Sequence, residues 1–186
     1  FEPAAAIDVI RAERPTFTIG SITVFIALMN APNAGKEALT SLSRIWSGGA
    51  PIPPSTVKAF SQTFGQYIHN IYGLTETTSP SHAVPFGVSA PVDPDSGILS
   101  VGVPVYDTVV RVLGENGEEL PPGVAGELVI EGPQVVAGYW NKPAETAEAF
   151  VDGWLHTGDL ARIDERGLIH IVDRLKDMIN RGGENV

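Results

Sequence analysis

The alternation of predicted strands and helices changes near residue 100, and this change limits the folds open to the chain. Before it, the segments that predict strands are Thr16 to Ile19, Arg44 to Ser47 and Gln66 to Ile71. The segments that predict helices are Ala4 to Arg14, Thr23 to Asn30 and Pro53 to Phe64. Repeated strand–loop–helix units predict a parallel sheet whose functional loops lie at the carboxyl ends of the strands.

After Gly102, strands follow one another with turns between them. The predicted strands are Val105 to Leu113, Gly126 to Glu131, Leu155 to Ile163 and Gly167 to Val172, and the one short helix is Pro143 to Phe150. Strands without long helices predict an antiparallel sheet or a small barrel. We therefore predict an α/β part over residues 1–100 and an antiparallel, barrel-like part over residues 101–173. A surface crossing is predicted from Pro80 to Gly97, because this stretch is rich in proline and glycine and carries little charge.

The net charge of −10 and the lack of cysteine exclude several classes of function. Only 12 residues are Lys or Arg, which argues against a basic face that binds nucleic acid. Without cysteine there is no disulfide framework and no thiolate nucleophile, and the reducing cytoplasm is the favoured compartment. The most apolar segment, Ile19 to Met29, is too short to span a bilayer. His69 and His82 follow no metal-ligand spacing.

The run Asn70-Ile71-Tyr72-Gly73-Leu74-Thr75-Glu76 has two interpretations. Composition alone favours a strand that ends in a glycine turn and a helix N-cap. The alternative is a ligand site, because an aromatic ring, a hydroxyl and a carboxylate would lie close together at the carboxyl end of a strand. Such a group offers a face for a nucleotide base, a hydrogen bond for phosphate and an oxygen ligand for Mg²⁺.

Three further motifs are weaker by themselves. Ser47-Gly48-Gly49-Ala50-Pro51 and Thr157-Gly158-Asp159 have the composition of ordinary turns, and Arg174 has the setting of a surface arginine. As parts of a site they would supply different groups. The glycines would leave room for a ligand beside the backbone, and an ionised aspartate would offer two acceptor oxygens to a pair of hydroxyls.

Together these segments resemble the adenylate-forming family, which includes acyl-CoA synthetases, luciferases and the adenylation domains of peptide synthetases. The run from Asn70 to Glu76 matches the family signature letter for letter. By this resemblance the fold is the later, parallel-sheet part of a large N-terminal domain, followed by its antiparallel subdomain. Residues 174–186 would then be a hinge and the start of a C-terminal domain. The chain begins at Phe1 without an initiator methionine, so we expect an internal piece of a longer enzyme.

The resemblance also implies a role for each motif. Thr75 would contact the α-phosphate and Glu76 would bind Mg²⁺, and these two carry the catalytic roles. Lys176 would be the hinge, and Gly182 and Gly183 would approach the pantetheine arm of CoA. The residues that would bind ATP or AMP are Gly49, Ala50, Pro51, Asn70, Ile71, Tyr72, Gly73, Leu74, Thr75, Asp159, Arg174 and Asn185.

The implied function is that of an AMP-forming acid–CoA ligase that uses ATP, Mg²⁺ and CoA, and its substrate would be a small-molecule carboxylic acid, either a fatty or an aryl acid. The chain alone is expected to be inactive, because it contains neither the phosphate loop nor the adenylation lysine of the family. Ile22 departs from the family pattern, since many members have proline at the equivalent position, before a threonine that matches Thr23. The alternatives are a non-catalytic nucleotide-binding module and an amino-acid-activating or luciferase-like enzyme.

Overall fold

The structure is a computed structural model that describes residues 1–174 in full, together with the backbone of two short strands at 180–181 and 184–185. Four α-helices and twelve β-strands are present in this part of the chain. The helices are α1 (Pro3–Glu13), α2 (Ile22–Met29), α3 (Pro54–Phe64) and α4 (Pro143–Ala149), and a 3₁₀ turn spans Thr75–Thr77. Most strands belong to two larger sheets.

The first sheet is mixed. Its strands, in spatial order, are β1 (Phe17–Gly20), β2 (Arg44–Ser47), β3 (His69–Tyr72), β4 (His82–Ala83) and β5 (Val103–Pro104). The first three pair in parallel, which confirms the parallel arrangement predicted for them. The last two add antiparallel pairs. The carboxyl ends of β2 and β3 lie side by side, because Ser47 pairs with Asn70.

Helices α2 and α3 cover a core of apolar side chains beside this sheet. Proline at the start of α3 suits a position where backbone N–H groups lack helical partners. Gly65 ends the helix in the left-handed conformation that glycine adopts without steric cost. Phe60 and Phe64 lie one turn apart on its buried face, and the Phe60 ring packs edge-on against Phe25 of α2.

The second sheet is antiparallel. Its strands are β6 (Val109–Leu113), β7 (Gly126–Glu131), β8 (Phe150–Val151), β9 (Trp154–Ile163) and β10 (Ile169–Arg174), in the spatial order β10-β9-β7-β6 with β8 beside β9. Leu128, Ile130, Ala161 and Ile169 have no exposed surface and form the centre of its core. Two further strands, β11 (Asn180–Arg181) and β12 (Glu184–Asn185), pair with each other.

The prediction of one continuous strand from Val105 to Leu113 is wrong. The backbone turns between β5 and β6, where the N–H of Thr108 donates to the carbonyl of Val105 and Asp107 has a left-handed φ of 58°. An extended strand cannot continue through that conformation.

The predicted surface crossing from Pro80 to Gly97 is also wrong at its start. Ser81 and His82 have no exposed surface and Val84 is 1% exposed. These residues are buried because β4 lies between β3 and β5 in the first sheet.

A short segment connects the two sheets. The N–H of Val101 donates to the carbonyl of Ile169 in β10, and the N–H of Ile169 donates to the carbonyl of Gly102, both at 2.9 Å. The Ser100 hydroxyl donates to the same Ile169 carbonyl at 2.8 Å. On the other side, the side-chain amide of Asn70 in β3 donates to the carbonyl of Ser100. The carboxyl end of β3 is thereby held next to β10.

Within residues 1–174 and the two short strands that follow, no helix is long and apolar enough to cross a membrane.

Candidate functional site

A cavity of about 380 Å³ lies where the carboxyl ends of β2 and β3 face the end of β10. Ten of the predicted nucleotide-binding residues line it, namely Gly49, Ala50, Pro51, Asn70, Ile71, Tyr72, Gly73, Leu74, Asp159 and Arg174. These residues come from four separate segments of the chain. The structure therefore brings residues of all four motifs together in one place.

Asp159 is the central charged residue of the cavity. It is 2% exposed, and its two carboxylate oxygens accept hydrogen bonds from different partners. The Tyr72 hydroxyl donates to Oδ2 at 2.5 Å, and Nε of Arg174 donates to Oδ1 at 3.0 Å. Each carboxylate oxygen can accept two hydrogen bonds, so the carboxylate has acceptor capacity beyond these two contacts.

These contacts fix the charge state of Tyr72. Burial raises the pKa of its phenol far above the ordinary value, and the hydrogen bond to the Asp159 carboxylate raises it further. The hydroxyl therefore keeps its proton and remains a donor at any physiological pH. The Tyr72 ring also packs against His82, with ring centroids 5.4 Å apart.

The position of Asp159 depends on an irregularity in strand pairing. Between β7 and β9, Glu127 pairs with Leu160 and Val129 pairs with His156, so three residues of β9 lie opposite Leu128. This bulge contains Thr157-Gly158-Asp159, and Gly158 has a left-handed φ of 69°. Bulges redirect side chains and are frequent beside active sites.

A second irregularity lies on the neighbouring strand. In β10 the register with β9 shifts between Ile171 and Asp173, so that Arg174 pairs directly with Asp159. Directly opposite residues on adjacent strands have Cβ atoms about 5 Å apart, which is close enough for their side chains to interact. The shift thus sets an arginine beside the buried carboxylate, 15 residues away in sequence.

The glycine motif after β2 forms the opposite wall. A Cβ atom on Gly48 would lie 2.7 Å from Cγ1 of Ile71, so a side chain there would separate β2 from β3. Gly49 has a left-handed φ of 81°, a conformation that glycine adopts readily. The turn therefore keeps its backbone close to the end of β3.

Thr75 and Glu76 do not line the cavity but directly follow Leu74, the last lining residue of the loop after β3. Thr75 is exposed and Glu76 is half-buried. The Tyr139 hydroxyl donates to Oε1 of Glu76 at 2.6 Å, and this bond is the main cause that raises the pKa of Tyr139 to about 12. The carbonyl of Glu76 accepts from the N–H of Val136, which anchors this turn to the loop after β7.

Lys176, Gly182 and Gly183 lie outside the described residues. Asn185 belongs to β12 by its backbone, and its side chain lies outside the description.

The model of a family described as "AMP-binding enzyme" matches residues 1–140. The chain belongs to the AMP-binding enzyme family. The family predicted from these motifs is therefore confirmed.

Several members of this family are similar over most or all of the chain. Feruloyl-CoA synthase from an Amycolatopsis species is 39% identical over 186 residues, which is 100% of this chain and 37% of that protein. A long-chain-fatty-acid–CoA ligase from Escherichia coli O6:H1 is 40% identical over 171 residues, which is 92% of this chain and 29% of that protein. The crystal structure of ATP-bound MatB from Rhodopseudomonas palustris has a TM-score of 0.85 at 34% identity, over 100% of this chain and 36% of that one.

The chain therefore spans between 29% and 37% of the length of these relatives. Its fold class is the predicted one, with a sheet covered by helices followed by a curled antiparallel sheet.

Sequence reasoning missed several residues of the site. The apolar walls of the cavity come from Ile98, Leu99, Val101, Ile171 and Val172. No local pattern distinguishes these side chains from core residues, because they face the cavity only through the contact between the two sheets. Glu127 and Tyr139 were not predicted to belong to the site, although Glu127 bonds to Gly158 and Tyr139 bonds to Glu76. The sequence signal that could have found them is their place in Gly126-Glu127-Leu128 and Gly138-Tyr139-Trp140.

Proposed function

We propose that this chain forms the adenylate-binding part of an AMP-forming acid–CoA ligase. The observation that carries the proposal is the cavity itself, in which Tyr72, Asp159 and Arg174 meet although they come from two different sheets. Because the chain spans at most 37% of the relatives named above, the activity is proposed for a longer enzyme that contains it.

The ribose and base of the nucleotide would occupy the cavity. Asp159 would accept the two ribose hydroxyls with the acceptor positions that Tyr72 and Arg174 leave open. The adenine would lie against Tyr72 and the backbone from Gly49 to Pro51. Arg174, whose side chain is 57% exposed, would reach from Asp159 toward phosphate oxygens.

The α-phosphate would lie beyond Leu74, next to the Thr75 hydroxyl. Magnesium fits the residues present, because this ion is commonly held by one or two carboxylates together with substrate phosphates. Glu76 supplies one carboxylate, and the described residues contain no cluster of three acidic or histidine side chains that would form a closed protein site. The ion would neutralise charge on the phosphates, and Glu76 would orient it.

The proposed reaction has two steps. In the first, a substrate carboxylate oxygen attacks the α-phosphorus of ATP, and the bond to the β-phosphate oxygen breaks to release pyrophosphate. In the second, the sulfur of CoA attacks the acyl carbon and AMP leaves. The residues of this chain would contribute mainly by placing the reactants in line and by stabilising phosphate charge.

The substrate class proposed is a fatty or aryl carboxylic acid. Long-chain-fatty-acid–CoA ligases and a feruloyl-CoA synthase stand among the similar proteins, and they bracket this range. For the chain's organisation we propose an α/β part to about residue 100, an antiparallel part to residue 173 and a hinge region from residue 174. Lys176 is proposed as the pivot, with Gly182 and Gly183 near CoA.

The proposal is tested in the full-length enzyme by acid-dependent pyrophosphate release and by AMP binding. Asp159→Ala should weaken AMP binding about a hundredfold, because a buried charged acceptor of two hydrogen bonds is lost. Glu76→Ala should mainly lower kcat and leave AMP affinity within about threefold of wild type. Glu165→Ala, on the exposed turn between β9 and β10, is the control and should change neither quantity.

Two results would contradict the proposal. One is the absence of acid-dependent pyrophosphate release by the full-length enzyme with any fatty or aryl acid. The other is unchanged AMP affinity in Asp159→Ala.

A further inference from the structure

Glu127 is bonded to the bulge that carries Asp159, although it does not line the cavity. Its Oε1 accepts a hydrogen bond from the N–H of Gly158 at 3.1 Å. Its Oε2 lies 2.9 Å from Nδ1 of His156, which must donate because an ionised carboxylate is only an acceptor. Both side chains are largely shielded, at 24% and 29% exposure. The carboxylate is thus held at both oxygens.

The bulge needs such side-chain bonds because its backbone has lost its regular partners. Three residues of β9 lie opposite Leu128, and one partner residue cannot satisfy all of their N–H groups. The N–H of Asp159 donates to the Thr157 hydroxyl at 3.1 Å, and that hydroxyl donates to the carbonyl of Leu128 at 2.6 Å. Glu127 accepts from the N–H of Gly158.

We propose that Glu127 is a positioning residue, which holds the bulge in the shape that directs Asp159 at the ribose hydroxyls. This inference rests on the proposed role of Asp159 in nucleotide binding. Without Glu127, the N–H of Gly158 loses its acceptor, and the bulge can relax toward regular pairing with β7. The side chain of Asp159 then changes direction, while the rest of the cavity stays as it is.

The test compares the affinities of AMP and of 2′,3′-dideoxy-AMP, which lacks both ribose hydroxyls. In the full-length enzyme, Glu127→Ala should weaken AMP binding about tenfold, as expected for one charged hydrogen bond. It should leave the affinity for the dideoxy nucleotide within about twofold, because that ligand gains nothing from the direction of Asp159. Glu127→Gln keeps an acceptor for Gly158 and should restore most of the AMP affinity. Glu131→Ala removes an exposed glutamate from the same strand and is the matched control.

Asp159→Asn, measured beside these variants, distinguishes a failure of the proposed ribose site from a failure of the positioning role of Glu127. If it fails to lose AMP affinity selectively, the proposed ribose site is wrong and the inference falls with it. If it is selective but Glu127→Ala weakens both nucleotides equally or neither of them, only the positioning role is overturned.

A second variant covers the case in which Glu127→Ala does not fold. Thr157→Val keeps the shape of the side chain and removes the two hydrogen bonds that the Thr157 hydroxyl makes within the bulge. It should therefore give the same selective loss of AMP affinity. An equal loss for both nucleotides in that variant would also overturn the inference.

Discussion

Buried His82 makes the stability of this protein sensitive to acid. The side chain has no exposed surface, and Nε2 has no hydrogen-bond partner among the described residues. Nδ1 lies 3.0 Å from the Ser81 hydroxyl, which can form a hydrogen bond with a neutral imidazole ring. A protonated ring would carry a buried charge with no anionic partner in the part of the chain that the structure describes. Burial accordingly lowers the pKa of His82 from 6.5 to about 4.

The sign and the size of the effect follow from this difference. Between pH 6.5 and about 4 the unfolded chain binds a proton at His82 and the folded chain does not, so acid favours unfolding. The folded and unfolded pKa values differ by about 2.5 pH units, which at about 1.36 kcal/mol each corresponds to about 3 kcal/mol. A typical domain has a total stability of about 5–15 kcal/mol, so this is a large fraction.

Other titrating groups do not mask the effect of His82 between pH 6.5 and about 4. The pKa values of Asp93 and Asp164 are lowered from 3.8, so these carboxylates stay charged until the pH falls below the window. Burial also lowers the pKa of His69, so part of the loss of stability in wild type comes from that residue.

The assay is urea unfolding, at pH values from 8 to 4, of wild type and His82→Asn. Asparagine keeps an acceptor for Ser81 and cannot titrate, so about 3 kcal/mol of the pH-dependent loss should disappear. The cavity left by the smaller side chain lowers stability by the same amount at every pH. Val84→Ala also removes buried side-chain volume from this segment, and it is the control for this pH-independent loss. The reasoning is refuted if the curves of wild type and His82→Asn run parallel between pH 6.5 and 4.

Two other substitutions test contacts at the site and its support. Gly102→Ala should destabilise the fold by about 3 kcal/mol or more in chemical unfolding, because the added Cβ would lie 2.0 Å from the carbonyl oxygen of Ala83 at a φ of 90°. Gly35→Ala, with no atom within 4 Å of the added Cβ, should stay close to wild type, and equal stability of the two variants would contradict this argument. Tyr139→Phe in the full-length enzyme should raise the Mg²⁺ concentration for half-maximal pyrophosphate release about fivefold, because Glu76 loses the bond that orients it. An unchanged Mg²⁺ dependence would show that this bond has no role in placing Glu76.

Much of the secondary structure could be predicted because local patterns determine it. The predicted limits of Arg44–Ser47 and Gly126–Glu131 are those of β2 and β7, since runs of β-branched and apolar residues bounded by glycine or charge are clear strand signals. Strand β4 could not be predicted in this way, because two residues, His82 and Ala83, are too few to show a period.

The residues of the site were predictable as motifs, but their geometry was not. Asp159 follows a glycine and has the local composition of a turn residue, yet it lies inside β9 and is almost fully buried. A bulge is defined only relative to the partner strand, so the sequence of β9 alone cannot reveal it. For the same reason, the pairing of Arg174 with Asp159 depends on a register shift that no local pattern encodes.

The hydrogen bond from Tyr72 in the first sheet to Asp159 in the second has a thermodynamic consequence. A nucleotide that needs both residues binds only when the two sheets are docked against each other. Docking and nucleotide binding are therefore coupled, and each stabilises the other by the same free energy. Changes remote from the ligand, at the bonds between Ser100 and Ile169, should therefore alter nucleotide affinity. Conversely, saturating nucleotide should slow hydrogen exchange at the Val101 and Ile169 amides, which join the sheets.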